Sequence, residues 1–256
     1  MADTFPTPAP MAARTTDDYF FLYMATVCAA VAFMGFAPTY WLPLVSGRLN
    51  AHPVIHLHAA VFFAWSVYFV GQSWLAASGR LRSHRKLGLI GVSLATAMTM
   101  VGINAAINRM HWAASLGLID AGKSFAIVPI STILFFASAF IASVANARRR
   151  DWHKRLMLVA AISILDAPIA RWFVVFLAPP DAPPGPPPVA VDLGPSLIAL
   201  LILIFAMVVD RRRIGKFHGA YLYGALGYIA MKVLQVPISE SSAWHATAAW
   251  LMRLGG

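Results

Sequence analysis

Charged residues are scarce in this chain. Only 12% of its 256 residues are Asp, Glu, Lys or Arg, about half of the roughly 25% that soluble domains carry. Hydrophobic residues make up 59% of the sequence, and its mean hydropathy is +0.69. This balance excludes an ordinary soluble domain and makes the lipid bilayer the expected partner of most of the surface.

Cysteine is nearly absent as well. The one cysteine, Cys28, excludes an intramolecular disulfide framework and a CxxC redox motif. The sequence also has no HExxH motif, so it lacks that signature of a zinc protease. No basic segment precedes the first apolar run, which argues against a cleaved signal peptide and predicts that the first span is retained.

Seven apolar segments are long enough to cross a bilayer, which takes about 20 residues. The segments cover residues 19–44, 53–77, 87–107, 125–147, 156–177, 189–209 and 217–236. We therefore predict an all-α fold, an integral membrane bundle of seven transmembrane helices. The predicted organisation is a disordered cytoplasmic tail over 1–18, the transmembrane domain over 19–237 and an outer amphipathic tail over 238–256.

The basic residues are concentrated between these segments. Thirteen of the twenty Lys and Arg lie in three short loops, within 80–86, 148–155 and 211–216. Seven spans place all three loops on one side, and the positive-inside rule makes that side cytoplasmic, together with the N-terminus. The net charge of +10 therefore indicates membrane topology, not nucleic-acid binding. We expect a multi-pass protein of a bacterial inner (cytoplasmic) membrane.

The three basic loops form a weak internal repeat, each with a basic cluster, a histidine and then an apolar helix. The sequences are RLRSHRKLG around His84, RRRDWHKRLM around His153 and RRRIGKFHGAYLYG around His218. They predict one leading helix followed by three similar hairpins. The three imidazoles could bind haem or a transition metal, or relay protons. The alternative is that they anchor helix ends to lipid head groups.

A second group of histidines is predicted at the opposite side. His52 and His56 are four residues apart, which places them on one helix face at a spacing suited to a single metal ion or to haem. His111 and His245 belong to the same side, so these four residues are the candidate metal ligands. The alternative is an interfacial role, with Pro53 starting the helix.

Ionisable and polar residues inside the spans are a third candidate site. Asp166 is predicted near the middle of the membrane, and Arg171 follows it in LDAPIARW. A central charge is costly and normally faces a cavity with a partner, so we predict that Asp166 and Arg171 form a buried functional pair. Asn104 and Lys232 are further buried polar candidates. For Arg171 and Lys232 the alternative is snorkelling to the interface.

Two stretches carry a family resemblance. The segment RRRDWHKRLMLVAAISILDAPIARW resembles the basic-x-x-HK-x-x-M pattern of small bacterial membrane proteins tied to cytochrome oxidase assembly. The segment HRKLGLIGV is similar to HR-x-x-G segments of uncharacterised membrane proteins, some of them distantly haem-cytochrome-like. The resemblance implies a haem- or respiration-related membrane role, with His84 and His153 at the matching positions.

Three functions follow from these patterns. The first is a protein associated with respiratory redox chemistry, which binds haem, metal or quinone through its histidines or assists oxidase assembly beside respiratory complex subunits. The second is a small-solute or proton-coupled transporter with Asp166 and Arg171 in a central cavity. The third is a lipid-modifying enzyme with histidine-bound metal. Whether the protein is an enzyme stays open at this point.

Overall fold

A computed structural model describes residues 19–179, 181 and 184–254. The predicted disordered tail, residues 1–18, lies outside the described residues. Every regular element within the described ranges is helical. The α-helices are α1 Phe20–Gly35, α2 Leu42–Val45, α3 Pro53–Ala77, α4 Leu81–Ser115, α5 Ile119–Ala145, α6 Arg150–Ser163, α7 Asp166–Phe176, α8 Leu193–Ile214, α9 Gly219–Ser239 and α10 Ser242–Leu254. A π turn, Ala37–Trp41, joins α1 to α2, and a 3₁₀ turn, Val189–Asp192, leads into α8.

Six helical units are long and apolar enough to cross a membrane. They are Phe20–Val45, Pro53–Ala77, Leu81–Ser115, Ile119–Ala145, Arg150–Phe176 and Val189–Ile214. The chain is therefore a helical, multi-pass membrane protein, but the described residues give six such spans where the sequence predicts seven. The seventh predicted span corresponds to α9, which is long enough at 21 residues. It contains Lys232 and Gln235, however, and these polar residues lower its mean hydropathy.

The two ends of the bundle differ in chemistry. The ring centres of His84 and His153 are 6.2 Å apart, and His218 lies 5.2 Å from the Trp152 ring. The three basic segments therefore meet at one end, which we call the basic end. Gly185 lies at the opposite end, where a Cβ on it would be 2.8 Å from Leu118, and we call this the proline-rich end after the prolines at 186–188.

Helix α5 occupies the centre of the bundle. It packs against α4, α6, α9 and α10, and its residues Phe136 and Phe140 contact Trp65 of α3 through edge-to-face ring pairs. Large apolar side chains also cover the outside; Leu89, for example, is 73% exposed. An apolar exterior around buried charged groups is the arrangement expected of a protein that faces lipid.

The helical units are interrupted at two places that touch each other. Ile164 and Leu165 lie between α6 and α7, where Pro168 cannot donate a backbone hydrogen bond to the carbonyl of Ile164. On the neighbouring unit, α1 ends at Gly35 just before the π turn. A Cβ atom on Gly35 would lie 2.5 Å from the carbonyl oxygen of Pro168, so the close approach of α1 and α7 requires glycine.

This contact yields a prediction for stability. We expect Gly35→Ala to separate α1 from α7 and to lower the free energy of unfolding by about 1–3 kcal/mol, because the clashing atoms belong to the backbone and cannot rotate away. Thermal unfolding in detergent measures the effect. Gly71→Ala in α3 is the matched control: no atom lies within 4 Å of its Cβ position, so the alanine should be neutral or slightly stabilising. Equal stability of the two variants would contradict the proposed close contact.

Candidate functional site

Three charged side chains meet inside the bundle. The ammonium of Lys232, on α9, forms ion pairs with a carboxylate oxygen of Asp166, at the start of α7, and with Oδ2 of Asp192 at 2.9 Å. These side chains are almost completely buried: Lys232 is 3% exposed, Asp166 2% and Asp192 7%. We call this group, with its hydroxyl neighbours Thr132 and Ser196, the Lys232 network.

Hydroxyl groups complete the coordination of the three charges. The ammonium of Lys232 donates to Oγ1 of Thr132 at 2.9 Å, and the Thr132 hydroxyl in turn donates to Oδ2 of Asp166 at 3.2 Å. Ser196 donates to Oδ2 of Asp192 at 3.0 Å, and the backbone N–H of Ala167 donates to Oδ1 of Asp166 at 2.7 Å. Each carboxylate therefore accepts hydrogen bonds from more than the lysine alone, as buried charges require.

Backbone irregularities bring these side chains together. Asp166 is the first residue of α7, where the helix N-terminus favours a negative charge. Asp192 ends the 3₁₀ turn before α8, and Val189 of that turn is buried beside Ile127 and Val128 of α5. The chain therefore enters the bundle after the proline-rich segment, and this places Asp192 at the depth of Lys232.

The network corrects one sequence prediction and decides between the two alternatives given for Lys232. Asp166 is paired with Lys232 and not with Arg171, whose side chain is exposed. Lys232 does not snorkel to the interface, because two carboxylates neutralise it within the bundle. Asn104 is exposed as well, so it is not a buried polar residue. Asp192 is recognisable in the sequence only as an acidic residue at the outer start of the sixth apolar segment, and nothing there predicts its contact with Lys232.

The balance of charge in the network is uneven. Two carboxylates face one ammonium, so the fully ionised group carries a net charge of −1. A net charge in a low-dielectric interior is expensive, and a buried acid can remove it by binding a proton. The Lys232 network therefore has the composition of a reversible proton-binding site, neutral with one proton bound and anionic without it.

A second buried ion pair lies near the basic end. Arg155 is 1% exposed and donates from Nε and Nη2 to the two carboxylate oxygens of Asp210, at 2.7 and 3.1 Å. Its Nη1 reaches the exposed Asp151 at 3.1 Å. The bidentate ion pair of Arg155 and Asp210 joins α6 to α8, and its two charges are equal and opposite. It therefore fits a structural role better than a proton-binding one.

The histidines of the three basic segments do not form one ring. His84 and His153 are neighbours, and their Nδ1 atoms lie 3.3 Å from the carbonyl of Gln72 and 3.0 Å from that of Ser143. His218 accepts a hydrogen bond from the backbone N–H of Ala220 and caps α9. Burial lowers the pKa of His218, and the nearby charge of Arg155 lowers it further, so the neutral form that this cap needs is favoured.

The four histidines predicted as metal ligands have separate partners. His52 caps α3 by accepting from the N–H of Val54, whereas His56 lies 3.2 Å from the hydroxyl of Tyr40. His111 contacts the carbonyl of Met252, and His245 contacts the hydroxyl of Ser124. Within the described ranges, no three His, Cys, Asp or Glu side chains are grouped closely enough to hold a metal ion.

A sequence match to the phosphate-binding loop does not form a phosphate site in this fold. The stretch GLIDAGKS, residues 117–124, fits the pattern GxxxxGK[ST] of phosphate-binding loops. That loop needs a strand before it and a non-helical backbone whose amides point at phosphate. Here α4 precedes it and α5 begins at Ile119, while Lys123 pairs with Asp120 at 3.3 Å. The helical backbone therefore rules out a phosphate cradle at this position.

Comparison with known proteins adds no relative from which to transfer a function. The chain matches no family model, and no match to it was found among curated proteins or solved structures. The resemblance of the His84 and His153 segments to oxidase-assembly proteins therefore stays a prediction. What the site can do has to be inferred from its own side chains and their contacts.

The network predicts a large loss of stability when its cation is removed. Lys232→Met leaves two buried carboxylates without a counter-charge, and we expect the free energy of unfolding to fall by about 3–5 kcal/mol. Lys123→Met is the matched control, because its partner Asp120 is 77% exposed and such pairs contribute about 1 kcal/mol or less. Chemical unfolding in detergent compares the two. Similar losses for both variants would show that the Lys232 network does not hold the bundle together.

Proposed function

We propose that the protein is a proton-coupled transporter of a small solute, with the Lys232 network as its proton-binding site. The observation that carries the proposal is the unequal pairing of one buried ammonium with two buried carboxylates, Asp166 and Asp192. Ionisable residues within membrane helices commonly mark ion or proton pathways. Arg155 differs, because it has one buried carboxylate partner, Asp210, while its second partner, Asp151, is exposed and shared with Lys154.

The proposal includes seven spans. Helix α9 packs against α5, α6 and α8, and Lys232 loses its penalty for membrane insertion once Asp166 and Asp192 neutralise it. The bundle then has an odd number of spans, with the three basic segments on one side. The positive-inside rule makes the basic end cytoplasmic and the proline-rich end external in a bacterial inner membrane.

Discontinuous helices support transport over a static structural role. Transporters bind substrates and coupling ions where membrane helices are interrupted near the middle of the bilayer. The interruption between α6 and α7 immediately precedes Asp166, and the 3₁₀ turn before α8 ends at Asp192. Both proton-binding carboxylates therefore lie at breaks, where small changes of backbone angle can move them relative to Lys232.

The chemistry of the cycle follows from the contacts. A proton bound to either carboxyl removes one of the two charges that hold Lys232, which weakens one ion pair and leaves the other. Loss of the proton restores the second ion pair and draws α7 and the 3₁₀ turn towards α9. Proton binding thus changes the attraction between three separate segments, which is the physical requirement for coupling it to movement.

Infrared titration of the purified protein tests the proton-binding step. We expect a C=O band of a protonated carboxyl that disappears as the pH rises and that is missing in Asp166→Asn or Asp192→Asn. The exposed Asp120→Asn is the matched control and should retain the band. A band unchanged in both network variants would overturn the assignment of the proton site.

The transport step has its own readout. In liposomes containing a pH-sensitive dye and given an inward proton gradient, succinate or phosphate added outside should acidify the lumen with the wild type. Asp166→Asn should reduce that rate about tenfold or more, because its side chain cannot carry the proton, while Asp120→Asn transports normally. Equal rates for the wild type and Asp166→Asn would contradict proton coupling through this site.

A second candidate function is favoured by the neighbouring His84 and His153. Each ring has its Nδ1 next to a backbone carbonyl, an orientation that leaves Nε2 available as a ligand. This arrangement supports the respiratory hypothesis, with haem or a metal bound at the basic end. The oxidised and dithionite-reduced absorbance spectra of the purified protein test it. A Soret band that is lost in His84→Ala would support it, and a colourless protein without bound metal would exclude it.

A further inference from the structure

A second polar region lies on the other side of α7. Arg171 follows Asp166 by five residues, so its side chain leaves the helix about 140° away from that carboxylate. The Arg171 guanidinium lies 5.6 Å from the centre of the Phe36 ring. It is also close enough to Arg109 of α4 and to His58 of α3 for their charges to interact. Arg171 therefore lies within electrostatic range of the other two basic side chains.

The two arginines lie near the proline-rich ends of their helices. Arg171 lies five residues before the end of α7, and Arg109 lies six before the end of α4. At 1.5 Å per residue, each is about 7–9 Å from the last residue of its own helix. His58 lies five residues after the start of α3. Helix α7 packs on α1, α1 on α3, and α3 on α4, so this arc of helices carries both arginines and His58.

The two arginines have no acidic partner. Among the described residues, neither Arg109 nor Arg171 forms an ion pair: the paired carboxylates bind Lys123, Lys154, Arg155, Lys232 and His245. Arg109 instead lies 3.7 Å over the Trp112 ring. Both arginines are exposed, and two neighbouring positive charges repel each other. A bound anion would remove that repulsion.

Unused hydrogen-bonding groups border the same region. Oγ1 of Thr39 and Nε1 of Trp41, both in the π turn, are buried without a hydrogen-bond partner in the described part of the chain, and so is Nδ1 of His58. Each of these groups can donate a hydrogen bond to an oxygen ligand. Unsatisfied buried donors are rare in folded proteins, and π turns occur often at functional sites.

We propose that Arg109, Arg171 and His58 bind the oxyanion of a small solute, a carboxylate or phosphate, with Thr39 and Trp41 as additional donors. A guanidinium recognises such groups through two parallel hydrogen bonds. This inference rests on the proposed function for the statement that the anion is transported. It names the substrate class that would be coupled to the proton of the Lys232 network.

Helix α7 provides the link between the two sites. It is a rigid helix of eleven residues that carries Asp166 at its start and Arg171 on another face. Its contact with α1 is tight, because Gly35 packs directly on Pro168. An anion that draws Arg171 towards Arg109 therefore rotates or tilts the same helix that presents Asp166 to Lys232.

Thermal unfolding in a neutral detergent tests binding without any transport assay. The probes are sodium phosphate, sodium succinate and phosphatidylglycerol, each compared with sodium chloride at equal ionic strength. We expect phosphate or succinate to raise the melting temperature of the wild type. In Arg171→Gln and Arg109→Gln the apparent affinity should fall about tenfold or more, whereas Arg171→Lys keeps the charge and should lose less.

Matched controls separate this inference from the proposed function. Arg48→Gln removes the same charge from the exposed segment between α2 and α3 at the same end, and it should bind like the wild type. Asp166→Asn should still be stabilised by phosphate or succinate while losing proton coupling. Absence of stabilisation by any oxyanion, or an equal loss in Arg48→Gln, would overturn the site. Stabilisation by phosphatidylglycerol alone would identify a lipid head group and overturn the assignment to a transported solute.

Discussion

The architecture depends on the neutralisation of Lys232 inside a bundle whose outer surface is apolar. An uncompensated lysine at the centre of a membrane helix costs at least about 2.5–3.5 kcal/mol on insertion scales. Ion pairs with Asp166 and Asp192 offset that cost, and the two carboxylates come from two other segments of the chain. The ion pairs therefore join α7, α9 and the 3₁₀ turn before α8, and Thr132 adds the central helix α5.

The same constraint explains where the backbone is irregular. Within the hydrocarbon region, non-helical backbone is tolerated only where protein groups or water satisfy its polar atoms. The interruption before α7 places Asp166 at a helix start, where the N–H of Ala167 can bond to its carboxylate. The 3₁₀ turn similarly aims Asp192 inward, where Ser196 binds it. Breaks that would weaken a uniform helix thus serve to direct two carboxylates at one ammonium.

Sequence reasoning could find the membrane helices but not their contacts. Apolar runs of about 20 residues and basic loops at regular intervals depend only on local composition, so the helices and the basic end were predictable. The partner of Lys232 was not, because Asp192 reaches it through a turn that follows the proline-rich segment. His52 and His56 show the reverse case: their spacing predicts one helix face, but His52 lies before α3 and caps it. A spacing rule holds only where both residues belong to the helix.

The two charged regions flanking α7 are complementary. The Lys232 network carries one excess negative charge when no proton is bound, while Arg109 and Arg171 form a region of excess positive charge. A proton therefore suits the first region and an oxyanion the second, and together they add no net charge to the bundle. Moving a single charge across a membrane costs about 2.3 kcal/mol per 100 mV of opposing potential. In the proposed transporter, a proton and a monoanion that cross together avoid this cost, so the pairing of an acidic and a basic site on one short helix is an argument for symport over the movement of either ion alone.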